Sequence, residues 1–167
     1  MYKLESLSAD HDRQGFDCGS EPLNSYLRKT ARQHQTRGIS TTYVLVEESA
    51  PVPKAIVGFF TVNICQVLAE SLPEQEAKKL PRNVSAVKLG RLAVASDSQK
   101  SGVGKILIAG VMQTVLSVFD KVGGIGLFVD AKDERAADYY KKFGFVPLPE
   151  RPLELFLPIK TIQDSWK

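Results

Sequence analysis

Apolar and polar residues alternate along this chain with two different periods. In the segment 16–35, apolar or small side chains recur three and four positions apart after an initial turn. This spacing predicts a helix whose buried face consists of Leu23, Tyr26, Leu27, Thr30 and Ala31. Ser20 precedes the segment as a candidate N-cap, and Pro22 falls in its first turn. We therefore expect a turn followed by an amphipathic helix near the N-terminus.

Five runs rich in β-branched and aromatic residues predict strands, at 41–48, 54–63, 86–95, 124–131 and 153–159. Helical patterns lie at 72–82, 103–119 and 133–143, and Gly144 is a candidate C-terminal cap for the last of them. In the second half of the chain strands alternate with helices, which is typical of α/β folds. The pattern predicts one domain over residues 1–167, with a mixed central β-sheet flanked by helices on both faces. We expect the strand at 153–159 to end the fold.

The composition is that of an ordinary globular protein. The chain has 167 residues, of which 43% are hydrophobic and 25% charged, enough to build a sizeable core. We expect no apolar run of membrane-spanning length, and the N-terminal segment lacks the apolar core of a signal peptide, so a cytoplasmic protein without membrane contact is expected. Without an export signal, Cys18 and Cys65 are expected to be free thiols. His11 and His34 lack the spacing of metal ligands, so no metal is expected.

Basic residues concentrate in two segments, although the net charge is only +3. No acidic residue occurs between residues 22 and 46, a segment that contains Arg28, Lys29, Arg32 and Arg37. A second group comprises Lys78, Lys79 and Arg82. Such clusters either contact nucleic-acid phosphates or are simply solvated helix faces. Charge alone does not separate these two interpretations.

The segment QKSGVG, residues 99–104, joins the strand at 86–95 to a long helix. Unpaired N–H groups and the dipole make a helix N-terminus positive, and glycines let the backbone approach an anion, so the segment predicts a phosphate or pyrophosphate site. Two lysines add charge, at positions 100 and 105, and no acidic residue occurs from 98 to 119. The spacing is not that of a P-loop, because Gln99 and Ile106 replace the required Gly and Ser/Thr. Nor is it a dinucleotide fingerprint, because Leu107 replaces the third glycine.

Two motifs in their usual order identify the chain as a member of the GNAT acetyltransferase superfamily. The pattern Gln99-x-x-Gly102-x-Gly104 after a strand resembles the superfamily's pyrophosphate loop. The helix after the superfamily's fifth strand is matched by Asp133, Ala136, Tyr139, Tyr140 and the KKFGF segment. The resemblance implies a GNAT fold over residues 1–167 and acetyl-CoA as the cosubstrate.

Further segments are similar to the GNAT toxins of type II toxin–antitoxin systems, namely FDCGSEPLNSYL, STTYVLVE, IVGFFTVN, LPR, LGRLAV and VDAKDERAADYYKKFGF. This similarity implies an enzyme that acetylates the primary amine of aminoacyl-tRNA and stops translation until deacylation and recharging. It also implies a homodimer and neutralisation by a cognate antitoxin, usually one with a ribbon-helix-helix DNA-binding part.

The resemblance also implies roles for individual residues. The backbone of the splayed fourth strand would pair with the pantetheine amide and the acetyl carbonyl, through Leu92, Ala93 and Val94. The pyrophosphate would lie on Gln99, Lys100, Ser101, Gly102, Val103 and Gly104. Lys100 and Lys105 either contact CoA phosphates or are solvated. Tyr140 would protonate the departing thiolate, a role that its register with Ala136 and Gly144 favours over Tyr139. Asp133 replaces a common asparagine, and because its charge would repel phosphates, helix capping is the alternative to a CoA contact.

The chemistry of the implied acceptor accounts for the lack of an evident general base. An α-amine has a pKa of about 8 and is partly neutral at neutral pH, whereas a lysine amine, with a pKa of about 10.4, is nearly all protonated. We therefore expect direct transfer through a tetrahedral intermediate, with fourth-strand N–H groups polarising the thioester carbonyl. A ping-pong route through Cys18 or Cys65 competes, but the sequence places neither a histidine nor a helix N-terminus beside either thiol.

An RNA substrate makes the basic residues candidates for phosphate contacts, and we include Arg28, Lys29, Arg32, Lys78, Lys79, Arg82 and Arg91. Two other functions stay open. One is a GNAT enzyme that acetylates a small amine, a peptide or a protein, although the basic clusters do not suit a cationic acceptor. The other is a non-catalytic CoA-binding module, against which the tyrosine and the complete loop argue.

Overall fold

The structure, a computed structural model, describes residues 1–166. The strands are β1 (Tyr2–Ser6), β2 (His11–Asp12), β3 (Thr41–Glu47), β4 (Lys54–Ala55), β5 (Gly58–Leu68), β6 (Asn83–Val94), β7 (Gly126–Asp130), β8 (Val146–Leu148) and β9 (Arg151–Pro158). The α-helices are α1 (Glu21–Ser25), α2 (Ala31–Thr36), α3 (Glu74–Ala77), α4 (Val103–Val122), α5 (Glu134–Lys141) and α6 (Ile159–Asp164). A π-helical turn, Tyr26–Thr30, joins α1 to α2, and two short 3₁₀ turns lie at Ala69–Ser71 and Ser96–Ser98.

Seven strands form one sheet in the order β1-β3-β5-β6-β7-β9-β8, while β2 and β4 form a separate parallel pair. The β1–β3, β3–β5, β7–β9 and β8–β9 pairs are antiparallel, and β6 pairs with β7 in parallel. The sheet is therefore mixed, and the predicted α/β class is confirmed.

The chain divides into two compact units, of which the first comprises Met1–Asn63 and Gly90–Val111. Its core contains side chains from the N-terminal helical segment and from β3 and β5, including Tyr26, Leu27, Ala31, Val44, Val46 and Phe59. Phe16 packs edge-on against Phe59, with 5.4 Å between ring centroids. The apolar face predicted from the 3.6-residue period therefore does pack inward, since Tyr26, Leu27 and Ala31 are all buried.

The second unit comprises Ile64–Leu89 and Met112–Lys167. Its parallel pairing sets Val87 against Leu127, and its antiparallel pairing sets Phe128 against Phe156. The rings of Phe128 and Phe156 stack with centroids 4.8 Å apart, within a cluster that also contains Leu72, Ala86 and Leu148.

Helix α4 has 20 residues and contains an 18-residue window with a mean hydropathy of 1.5, so it is long and apolar enough to cross a membrane by length and composition alone. The expectation that no apolar run reaches that length was therefore wrong. Its buried residues recur on one face, as in a core helix, and are Val103, Leu107, Ile108, Val111, Met112 and Val115. A glycine on this helix allows close packing in the first unit, since a Cβ at Gly110 would come within 2.9 Å of Leu4 Cδ2.

Several boundaries differ from the sequence-based expectations. The patterns missed β1, β2 and β8, and the strand at 153–159 does not end the fold, because α6 follows it. β5 continues to Leu68, and the helix expected at 72–82 is a single turn. The helix near the N-terminus is interrupted by the π-helical turn, in which the backbone carbonyl of Arg28 accepts a hydrogen bond from Arg13 Nη1 at 2.9 Å.

Candidate functional site

The predicted phosphate loop lies in the first unit, between β6 and α4. Lys100 and Gly102 both adopt left-handed backbone conformations, with φ of 67° and 87°. A Cβ at Gly102 would meet open space, so glycine is favoured there by its φ angle and not by crowding. The first helical hydrogen bond of α4 runs from the N–H of Ile106 to the carbonyl of Gly102. The preceding N–H groups of the first turn therefore have no acceptor within α4.

The electrostatics of this helix end favour an anion. The first turn of α4 contains no acidic residue, and Lys105 belongs to it. The side chains of Lys100 and Lys105 are exposed. Together with the unpaired N–H groups and the helix dipole, these two charges make the loop able to hold a phosphate group.

Gln99 has a structural role that its sequence position did not suggest. Its side-chain Nε2 donates to the backbone carbonyl of Cys18 at 3.0 Å and to that of Val94 at 3.1 Å. Nearby, the hydroxyl of Ser101 donates to the carbonyl of Ser98. The Gln99 side chain thus fixes the loop to the end of β6 and to the turn before α1.

The residues expected to bind the thioester lie at the end of β6. The parallel pairing of β6 with β7 covers Val87–Leu89, and β6 continues as a strand to Val94. Leu92 and Val94 are partly exposed, whereas Ala93 is buried. The Val94 carbonyl accepts a hydrogen bond from Gln99 Nε2.

Tyr140 lies on α5 in the second unit, packed against two other aromatic rings. Its ring contacts Tyr139 and Phe145 edge-on, with centroids 5.6 Å and 5.5 Å away. Burial, and to a lesser degree the neighbouring Tyr139, raises the pKa of Tyr140 to about 12. Every buried side-chain nitrogen or oxygen among the described residues has a hydrogen-bond partner. The phenol is therefore protonated at neutral pH and able to donate.

Asp133 caps α5. Its carboxylate accepts a hydrogen bond from the N–H of Ala136 at 2.8 Å, and its side chain is exposed. This is the capping role that its negative charge favoured. A contact between Asp133 and CoA stays a prediction.

The two cysteines do not have the environment of a nucleophile. Cys18 is buried, and its thiol donates to Asn24 Oδ1 at 3.2 Å. Burial raises the pKa of the Cys65 thiol, which lowers its thiolate fraction at neutral pH. Both are free thiols. Residues 1–166 contain no cluster of three His, Cys, Asp or Glu side chains arranged to hold a metal ion.

The basic candidates of the first unit differ in their surroundings. Arg28 Nη2 forms an ion pair with Glu21 Oε1 at 2.6 Å. Arg91 lies over the ring of Tyr26, with its guanidinium carbon 3.6 Å from the centroid. Stacking holds the guanidinium plane while its N–H edges remain available to other acceptors. Lys29 and Arg32 are exposed.

The basic candidates of the second unit follow α3. Lys78, Lys79 and Arg82 are all exposed, and the two lysines line a cavity of about 420 Å³ between α3 and α6. Lys160 lines the same cavity. Sequence reasoning missed Lys160, because α6 was not predicted and no pattern connects residues about 80 positions apart.

A family model described as an acetyltransferase (GNAT) domain matches residues 38–147. The chain belongs to this family, and the predicted superfamily and fold are confirmed.

The chain is similar over nearly its whole length to toxins that act on tRNA. It is 28% identical to a tRNA-acetylating toxin from Mycobacterium tuberculosis over 154 residues, which are 92% of this chain and 90% of the relative. AtaT complexed with acetyl-methionyl-tRNAfMet has a TM-score of 0.90 at 35% identity, covering 100% of both chains. A tyrosine-to-phenylalanine mutant of AtaT, bound to acetyl-CoA and the C-terminus of the antitoxin AtaR, has a TM-score of 0.84 at 32% identity, covering 99% and 98%.

Proposed function

We propose that this protein is the toxin of a toxin–antitoxin system. It transfers the acetyl group of acetyl-CoA to the primary amine of aminoacyl-tRNA and thereby blocks translation. The observation that carries this proposal is the match to AtaT complexed with acetyl-methionyl-tRNAfMet, which extends over both complete chains. The similarity to the tRNA-acetylating toxin supports the same reaction. We further propose that residues 1–167 form one GNAT domain.

The loop after β6 holds the pyrophosphate of acetyl-CoA in this proposal. Three features support it: free N–H groups in the first turn of α4, the left-handed φ angles at Lys100 and Gly102, and the absence of acidic residues in that turn. Gln99 acts through its side chain as a brace for the loop. Leu92, Ala93 and Val94 offer backbone groups to the pantetheine and to the carbonyl that is attacked. Asp133 caps α5, and its contact with CoA remains a prediction.

Tyr140 acts as a hydrogen-bond donor to the leaving thiolate. Burial raises the pKa of Tyr140 to about 12, so the phenol keeps its own proton at neutral pH and offers it as a hydrogen bond. Its hydroxyl stabilises the negative charge that develops on sulfur when the carbon–sulfur bond breaks. The proton that the amine must lose then passes to sulfur or to water.

The acceptor amine requires little help from the protein. The α-amine of an aminoacyl ester is partly neutral at neutral pH, so water suffices to take its proton. Basic residues outside the acetyl-CoA loop provide phosphate contacts for the RNA. Lys29, Arg32, Lys78, Lys79 and Arg82 are exposed, whereas Arg91 and Arg28 are partly exposed and Glu21 reduces the charge of Arg28.

A cognate antitoxin neutralises the enzyme, as the AtaT complex with the C-terminus of AtaR suggests. We propose that this antitoxin has a ribbon-helix-helix DNA-binding part and that the toxin is a homodimer. We place the enzyme in the cytoplasm, since charged tRNA is there. Light scattering on the purified toxin tests the dimer, which a monomer mass at micromolar concentration would contradict.

Incubation with labelled acetyl-CoA and total charged tRNA tests the reaction. The label is expected on the amino acid of aminoacyl-tRNA, and deacylated tRNA should remain unlabelled. Labelling of a small amine, a peptide or a protein at a higher rate would instead support a different GNAT enzyme. Acceptor binding that falls steeply with salt indicates nucleic acid, so the same assay at several salt concentrations separates these outcomes.

A further inference from the structure

We infer that the groove between α3 and α6 is an RNA-phosphate binding surface, formed by Lys78, Lys79 and Lys160. This inference rests on the proposed function and adds a location and a residue, Lys160, to it. The groove has a volume of about 420 Å³ and lies within the second unit. Its remaining lining is mostly polar and includes Gln75, Thr161 and Pro158.

Among residues 1–166, the three groove lysines form no ion pair, unlike three other lysines of the chain, and they are distinguished from further unpaired lysines by lying together on one groove. Lys54, Lys88 and Lys141 each lie within 4.0 Å of a carboxylate, the Lys88–Asp130 pair being as close as 2.6 Å. Among residues 1–166, no carboxylate lies within that distance of the ammonium groups at positions 78, 79 and 160. Three exposed, unpaired cations on one concave surface attract a polyanion.

The groove also contains two acidic residues, Glu76 and Asp164. With three lysines and two carboxylates the lining has a net charge of only about +1, which disfavours a small multiply charged anion that would contact all of them at once. A nucleic-acid backbone is extended and carries one charge per nucleotide, so it can contact lysines along a groove without meeting each acidic residue. The chemistry therefore fits an RNA strand better than free phosphate.

The expected size of the effect follows from counterion release. Each phosphate contact contributes about 0.7 to 0.9 to the slope of log K against log salt concentration. Between 1 M and 150 mM salt, one contact therefore raises the affinity about fivefold. Three contacts therefore contribute about 100-fold and a slope of about 2 to 3.

The test measures the affinity of deacylated tRNA for the full-length protein by fluorescence anisotropy between 50 and 500 mM salt. The triple variant Lys78→Gln, Lys79→Gln, Lys160→Gln should lose about 100-fold affinity at 150 mM salt and most of that slope. A matched control removes the same charge elsewhere, through Lys3→Gln, Lys121→Gln and Lys132→Gln, and should lose far less. Replacement of the three groove lysines by arginine should restore binding, whereas a misfolded groove would not be restored.

Equal losses in the groove triple and the control triple would overturn the inference. So would a groove triple that binds tRNA normally but escapes neutralisation by the antitoxin, which would assign the groove to a protein partner. If the unmodified protein acetylates charged tRNA, but the triple variant of the groove lysines binds tRNA as well as the control variant does, only the assignment of the groove fails. If the unmodified protein neither acetylates nor binds tRNA, the proposed function fails as well.

Discussion

Replacement of Tyr140 by phenylalanine removes one hydroxyl and leaves the packing of the ring in place. Burial raises the pKa of this phenol to about 12, so its proton stays on the oxygen at neutral pH. The hydroxyl therefore contributes a hydrogen bond to a charged group, which is worth about 1.5 to 3 kcal/mol. We expect Tyr140→Phe to lower kcat about 10- to 150-fold.

The pH dependence separates hydrogen bonding from proton donation. Because the pKa of Tyr140 is raised to about 12, its proton is retained through pH 10, and it adds no falling limb to the rate profile below that pH. The ratio of unmodified to Tyr140→Phe rates should stay constant from pH 7 to pH 10. Single-turnover acetylation of an amide-linked aminoacyl-RNA, which resists hydrolysis at high pH, provides the assay.

Tyr139→Phe is the matched control, because it removes a neighbouring phenol of the same helix. We expect its kcat to stay within about threefold of the unmodified enzyme, the size of an ordinary surface change. A loss confined to Tyr139→Phe would reverse the assignment of the two tyrosines. If the ratio of unmodified to Tyr140→Phe rates falls toward one with an apparent pKa near or below 10, burial does not raise the pKa of Tyr140 as argued.

Three further predictions concern the loop and the basic surface. Gly104→Glu should weaken acetyl-CoA binding at least about tenfold in calorimetry without lowering the melting temperature, since an acid is favourable in a first helical turn but repels phosphate; unchanged affinity would count against the loop. Gln99→Ala removes two hydrogen bonds to backbone carbonyls and should lower the free energy of unfolding, measured by denaturant titration, by about 1 to 2 kcal/mol. Gln99→Glu should lower it further, because a carboxylate would face the two carbonyl oxygens. Arg32→Gln should reduce tRNA affinity more than Arg28→Gln, because Glu21 already neutralises Arg28; the reverse order in anisotropy would contradict this.

Local sequence patterns were sufficient for the central strands and for α4 and α5. The buried side of α4 repeats at helical spacing, whereas the central strands are runs rich in β-branched and aromatic residues, buried on both faces in β5 and β7. The missed elements lack that signal. β1 is mostly exposed, with no regular alternation, and β2 and β8 have two and three residues. α6 begins directly after Pro158 at the end of a strand, so the apolar run of β9 conceals where the helix starts.

The parts of the candidate site that depend on consecutive backbone groups could be predicted from the sequence. The parts that depend on contacts between residues far apart in the chain could not. Glycines before a helix indicate an anion site from a few consecutive residues. The brace formed by Gln99 depends on a carbonyl 81 positions away, and the stacking of Arg91 on Tyr26 joins residues 65 positions apart. The raised pKa of Tyr140 depends on burial, which only the folded chain provides.

The brace from Gln99 to Cys18 has a practical consequence for protein engineering. The segment recognised as the acetyltransferase domain begins at residue 38, so a fragment cut at that boundary keeps the amide but discards the carbonyl it holds. Chimeras that graft this loop between relatives need to transplant the turn around position 18 as well. Otherwise the grafted loop lacks the hydrogen bond from Gln99 to the carbonyl at position 18, and low activity of the chimera would be attributed to other residues.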